Sequence, residues 1–119
     1  MNGQEMIFPR WMVSISTTEK DVLSISGDID MHESPRLKQT LEPLIANKAG
    51  RVILDFTGVS YIDSSGLAVF IDAMQRIQAY GGKLALYGLR ENVRKIFELA
   101  RLDQIFSIYS DKKAAVEAV

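Results

Sequence analysis

Hydrophobic and polar positions alternate at two places near the start of the chain. From Met12 to Thr18, Met12, Val13 and Ile15 stand against Ser14 and Ser16; from Val22 to Ile29 the apolar set is Val22, Leu23, Ile25 and Ile29. A period of two predicts a pair of strands, and the polar turn Glu19-Lys20-Asp21 makes a hairpin the simplest link between them. The period then changes. Leu37, Leu41, Leu44 and Ile45 follow Ser34-Pro35 at helical spacing. Serine can accept from free amides and proline suits the first helical position, so a helix is expected from Ser34 to near Gly50.

Arg51 to Phe56 is apolar without alternation, as in a strand covered on both faces. Thr57-Gly58 is read as its break, with Val59 to Asp63 as a further extended piece. A second helix is expected to begin at Ser64-Ser65 and stop at Gly81-Gly82. It carries Leu67, Val69, Phe70, Ile71, Ala73, Met74 and Ile77, so it should be buried at its beginning and more exposed from Asp72 on. Lys83 to Tyr87 reads as another covered strand, and Arg90 to Arg101 as an amphipathic helix on Val93, Ile96, Phe97 and Ala100. Ile105 to Ile108 reads as a last short strand, and Ser110-Asp111 as the opening of a terminal helix. The order β-β-α-β-α-β-α-β-α predicts one α/β domain over residues 1–119. Its sheet is mixed but mostly parallel, about five strands with four helices and right-handed crossovers. Residues 1–11 stand apart as an N-terminal extension that could supply a first edge strand.

Composition narrows the chemistry. Of 119 residues, 47% are apolar and 24% charged, with 14 basic against 15 acidic side chains. That is an ordinary globular balance, without the positive field that phosphate-rich nucleic acids require. With no cysteine and one histidine, disulfides, thiolate metal sites and imidazole clusters are all excluded. The N-terminus lacks the pattern of a signal peptide, and the longest apolar stretch, Leu67 to Ile71, is far short of a membrane span. A cytoplasmic location is therefore expected.

The segment Tyr61-Ile-Asp-Ser-Ser-Gly-Leu67 runs from a strand through a polar turn into a helix N-terminus. The first amides there lack internal partners and the dipole end is positive, so a serine at that point can hold a phosphate. The same Asp-Ser-Ser is also ordinary capping sequence. As a nucleophile, Ser64 or Ser65 lacks the Gly-x-Ser-x-Gly elbow, and His32, in a loop, is the sole candidate base. No enzyme, metal or cofactor is expected. Asp28, Asp30, Asp55 and Asp63 would need to meet at one strand edge to hold Mg²⁺; Asp55 falls mid-strand, which favours solvated turns.

Val52-Ile-Leu-Asp-Phe-Thr-Gly-Val-Ser-Tyr-Ile-Asp-Ser-Ser-Gly-Leu67 resembles the signature stretch of STAS domains, in particular of anti-sigma factor antagonists. Gly27-Asp-Ile-Asp30, Gly81-Gly-Lys-Leu-Ala-Leu86, Val93-Arg-Lys-Ile-Phe-Glu-Leu99 and Leu102-Asp-Gln-Ile-Phe106 resemble its other elements. The resemblance implies a partner switch. The unphosphorylated protein binds an anti-sigma factor that is also a GHKL-type serine kinase. Phosphorylation releases it, and a PP2C-type phosphatase restores binding. Carried onto this chain, the phosphoacceptor is Ser64, and Asp28, Asp30, Asp63, Ser65 and Gly66 belong to the partner contact. Met31-His32-Glu33 and the segment through Trp11 depart from the sporulation-type members. The resemblance also admits a different role, that of a non-phosphorylated adaptor subunit in a larger complex such as a lipid-transport ABC transporter. Neither nucleic acid nor membrane insertion is implied, and the oligomeric expectation is a monomer or weak dimer.

Overall fold

A computed structural model describes residues 11–19 and 21–119. Five strands form one sheet whose spatial order follows the chain, β1-β2-β3-β4-β5. They are β1 (Ser14–Glu19), β2 (Val22–Ile29), β3 (Arg51–Ile62), β4 (Lys83–Tyr87) and β5 (Ser107–Tyr109). The first pair is antiparallel and the other three are parallel. Helices α1 (Ser34–Ala46), α2 (Ser64–Ala79) and α3 (Glu91–Leu99) make the crossovers, a short 3-10 helix (Leu102–Gln104) precedes β5, and α4 (Lys112–Ala118) ends the chain. The expected order is observed. Of the segment 1–11, residues 1–10 lie outside the described residues, as does Lys20 in the hairpin turn.

Because each parallel strand is added beside its predecessor, right-handed crossovers put α1, α2 and α3 on one face of the sheet. Their apolar stripes meet the strands there: Leu37, Leu41 and Ile45 from α1, Phe70, Ala73, Met74 and Ile77 from α2, and Val93 and Phe97 from α3. Four phenylalanines lock the centre. Phe56 of β3 lies 5.1 Å from Phe70 and 6.1 Å from Phe97, and Phe97 lies 5.7 Å from Phe106. Those are the tilted and edge-on spacings that aromatic quadrupoles favour. Among the described residues the opposite face is covered at one end, where α4 sets Ala115 over Val22, Ile53, Ala85 and Tyr87. Farther along that face the side chains are polar: Ser24, Asp55 and Thr57.

Several expectations need correction. Thr57-Gly58 does not break the chain; β3 runs unbroken from Arg51 to Ile62. The irregularity is absorbed as a bulge against β2, where Ser24 pairs with Asp55 but Ser26 pairs with Gly58. A Cβ at Gly58 would come within 2.7 Å of the Ser26 Cβ, so glycine lets the two strands stay paired. Helix α1 ends at Ala46, well before Gly50, with Asn47 as its C-cap. Helix α2 exposes Gln75, Gln78 and Ala79 after Asp72, yet its buried stripe continues through Ala73, Met74 and Ile77 into the core. Ile105 is exposed, and the last strand starts only at Ser107, since the 3-10 turn uses up the preceding residues.

Candidate functional site

The parallel strands β2 and β3 end side by side, with Ile29 opposite Ile62. The Asp63 amide donates to the Ile29 carbonyl at 3.1 Å, which holds the two ends together as each chain turns into its helix. Asp63 is extended and is the N-cap of α2. Its Oδ1 accepts from the amides of Ser65 (2.9 Å) and Gly66 (3.1 Å). The helix thus begins at Ser64, as expected, and of the capping sequence Asp-Ser-Ser it is the aspartate that serves as the cap. A carboxylate reaches two amides at once and also faces the positive dipole end. Its Oδ2 accepts from the Met31 amide at 3.1 Å, so one side chain caps α2 and braces the neighbouring turn.

Since Asp63 satisfies the helix start, the Ser64 hydroxyl has no such task. Ser64 is exposed, and its side chain makes no hydrogen bond among the described residues. Ser65 is half-buried. Gly66 is buried against the sheet: a Cβ there would meet Ile29 Cγ2 at 2.6 Å and the Ile29 carbonyl oxygen at 2.8 Å. The three residues thus divide the work. Gly66 lets the first turn of α2 rest on β2, and that contact fixes Ser64 on the outside.

The turn between β2 and α1 is organised by Asp30. Its Oδ1 accepts from the amides of His32 and Glu33, both at 3.0 Å, and its carbonyl accepts from Glu33 and Ser34. Ser34 is therefore not a cap; it is a buried residue of the first turn. The residue before it, Glu33, is buried too and caps no helical amide with its side chain. Its Oε1 accepts from the Val13 amide at 2.9 Å and from Arg36 Nη1 at 3.1 Å, tying the start of β1 to α1.

Asp28, Asp30, Asp63, Ser64, Ser65 and Gly66 therefore do share one end of the sheet, at the C-terminal ends of the parallel strands. In open α/β sheets that end commonly carries the functional loops. Asp55 does not join them. It lies eight residues back along β3, roughly 25 Å away at strand rise. There it accepts from the Thr57 amide (2.9 Å) and hydroxyl (2.7 Å) and from the Ser24 hydroxyl (3.2 Å). Partial burial pushes its carboxyl up, but these donors and Tyr87 outweigh that and hold it below its ordinary value. Among the described residues no group of three or more metal-ligating side chains converges. His32 is exposed in the turn, and no hydrogen bond joins its ring to either serine among the described residues.

Sequence reasoning missed three residues at this edge: Trp11, Met31 and Tyr61, all large, apolar and exposed. The Trp11 carbonyl accepts from the Asp28 amide at 2.9 Å, and Tyr61 is opposite Asp28 in the ladder. The only sequence signal was that Met31 and Trp11 belong to no apolar stripe.

The STAS domain family model matches residues 13–115. The anti-sigma-B factor antagonist of Listeria monocytogenes is 32% identical over 100 residues, which cover 81% of this chain and 88% of that one. Its Bacillus subtilis namesake is 31% identical over 106 residues, covering 88% and 96%. In fold, the chain is similar to the crystal structure of an anti-sigma factor antagonist from Mycobacterium paratuberculosis. The TM-score is 0.78 at 24% identity, over 91% of this chain and 92% of the other. Among the described residues no helix is long and apolar enough to cross a membrane.

Proposed function

The chain belongs to the STAS domain family, and from that membership we propose that it is an anti-sigma factor antagonist switched by phosphorylation of Ser64. In the cytoplasm, the unphosphorylated protein binds an anti-sigma factor that carries GHKL-type serine kinase activity. Binding withholds that factor from its sigma subunit. The kinase moves the γ-phosphoryl group of ATP to the Ser64 oxygen, leaving ADP and the hydroxyl proton, and the complex separates. A PP2C-type phosphatase hydrolyses the ester and resets the protein.

The observation that carries this reading is the division of labour at the start of α2. Asp63 takes the cap, Gly66 takes the packing, and the Ser64 hydroxyl is left exposed to a kinase. The magnitudes fit a switch rather than an unfolding signal. A phosphoserine carries about -1.5 to -2 charges at neutral pH. Beside a helix N-terminus that charge is favourable by about 0.3 to 1 kcal/mol, so the fold tolerates it. Across an interface, a partner carboxylate at about 5 Å is repelled by roughly 3 kcal/mol per unit charge at an effective dielectric near 20, before screening. Each 1.4 kcal/mol is tenfold in affinity, so a loss on the order of a hundredfold is expected.

The test is to incubate the protein with the anti-sigma factors of its own organism and ATP, then locate phosphate by mass spectrometry. Phosphate on Ser64, with Ser64→Ala binding the kinase but not released by ATP, supports the reading. Phosphate elsewhere, or Ser64→Asp binding as tightly as the wild type, overturns it.

A further inference from the structure

Single exposed apolar side chains are normal on a protein surface, so what matters is where they gather. Among the described residues five large ones are exposed: Trp11, Met31, Tyr61, Leu99 and Ile105. Leu99 ends α3 and Ile105 precedes β5, which puts both at the end of the sheet opposite Ser64. The other three gather at the Ser64 end. Trp11 is bonded through its carbonyl to the Asp28 amide, Tyr61 is the ladder neighbour of Asp28, and the Met31 amide is bonded to Asp63, next to Ser64. Neighbouring strands are about 4.8 Å apart, so these backbones form one continuous edge. The turn that carries Met31 is held at both ends, by Asp30 and by Asp63, so Met31 is presented on a fixed support.

The same edge is acidic. The carboxylates of Asp28, Asp30 and Asp63 lie along it, and Asp28 makes no side-chain hydrogen bond among the described residues. Of the guanidiniums on this side, that of Arg36 is paired with Glu33, and that of Arg90 is drawn back along β3 onto the Thr57 carbonyl and the Ser60 hydroxyl; His32 is the other titratable group in the turn. We propose that Trp11, Met31 and Tyr61 are the apolar anchors of the partner-binding face, received by a protein surface that has apolar sockets set among basic side chains. Trp and Tyr dominate interface hot spots, and rigidly held anchors lose little entropy on docking. This rests on the reading of the chain as an antagonist and adds the residues that hold the partner before any phosphate is present. On this account Ser64 sits at the end of the row of anchors, next to the Met31 turn, and the phosphate acts by adding charge to an already acidic edge.

The experiment measures the affinity of purified full-length protein for the anti-sigma factors of its own organism, without ATP. Each of Trp11→Ala, Met31→Ser and Tyr61→Ser is expected to weaken binding tenfold or more. Leu99→Ser and Ile105→Ser, also exposed but at the far end, are expected to leave it within twofold, and thermal melts are the check that all five variants fold. Raising the salt concentration is expected to weaken the wild-type complex, as an acid-to-base face requires. If the three anchor variants bind like the wild type while Ser64→Asp does not, the anchors are refuted and the antagonist reading stands. If no anti-sigma factor binds the wild type, both fall. If sedimentation shows that the three residues instead join two copies of this chain, the proposed occupant is wrong.

Discussion

Helices α1 and α2 begin almost alike in sequence, each with a serine shortly after an aspartate at a strand end, yet the structure treats the two serines in opposite ways. Ser34 is buried, whereas Ser64 is exposed. In both turns an aspartate takes the free amides, Asp30 ahead of α1 and Asp63 ahead of α2. The difference lies in spacing. Asp63 immediately precedes its serine, so the serine stays at the rim. Asp30 precedes Ser34 by four residues, and the intervening turn carries Ser34 down against the core. Accessibility of a helix-start hydroxyl is thus set by the length of the turn and by what the first helical turn rests on, not by the presence of serine.

The contrast can be tested from its largest consequence downward. Gly66→Val places a branched side chain where even a Cβ meets Ile29 at under 3 Å, so a loss of about 3 kcal/mol in urea unfolding is expected. A loss under about 1 kcal/mol would mean that the α2 start can lift off β2, and that Ser64 is not held outside by this contact. Charge should separate the serines next. Ser34→Asp buries a carboxylate and is expected to cost about 2 kcal/mol, while Ser64→Asp should stay within about 0.5 kcal/mol of wild type. Equal melting temperatures for the two variants would erase the distinction. Asp63→Ala removes the acceptor for three amides and is expected to cost about 1.5 kcal/mol, with hydrogen exchange rising at Ser65, Gly66 and Met31 together. Faster exchange at Ser65 and Gly66 alone would show that the two turns are not braced to each other.

The smallest effect concerns Asp55, remote from both turns. Its folded carboxyl titrates below its ordinary value, so its contribution is complete above about pH 4, the usual aspartate range. That contribution is lost as pH falls through the folded value. Asp55→Asn should therefore destabilise more at pH 7 than at pH 3 in parallel urea titrations. The opposite order would show that burial dominates its hydrogen bonds.

The alternation of β1 and β2 and the stripes of α1 and α3 were legible because each buries one face against a neighbour, and the unbroken apolar run that opens β3 was legible because both of its faces are covered there. So was the grouping around Ser64, through its family resemblance. Other features depend on partners distant in the chain. The continuity of β3 through Gly58 requires Ser26 of β2, and the outward placement of Ser64 is clear only once Gly66 is seen against Ile29. Periodicity also cannot reveal which apolar residues stay outside. Tyr61 read as part of a strand, and its exposure goes with the fact that, among the described residues, no helix lies over that end of the sheet's second face.

The strand order has one more consequence. With β1 to β5 laid down in chain order, β3 is the middle strand, flanked by two on either side. Fraying of a sheet starts at its margins, here β1 and β5, and both can loosen while β2, β3 and β4 remain zipped. The serine borne at the tip of β3 therefore belongs to the part of the molecule that melts last. Loosening of β1 has the opposite effect on the partner face, because it frees Trp11 from Asp28 while Ser64 stays in place.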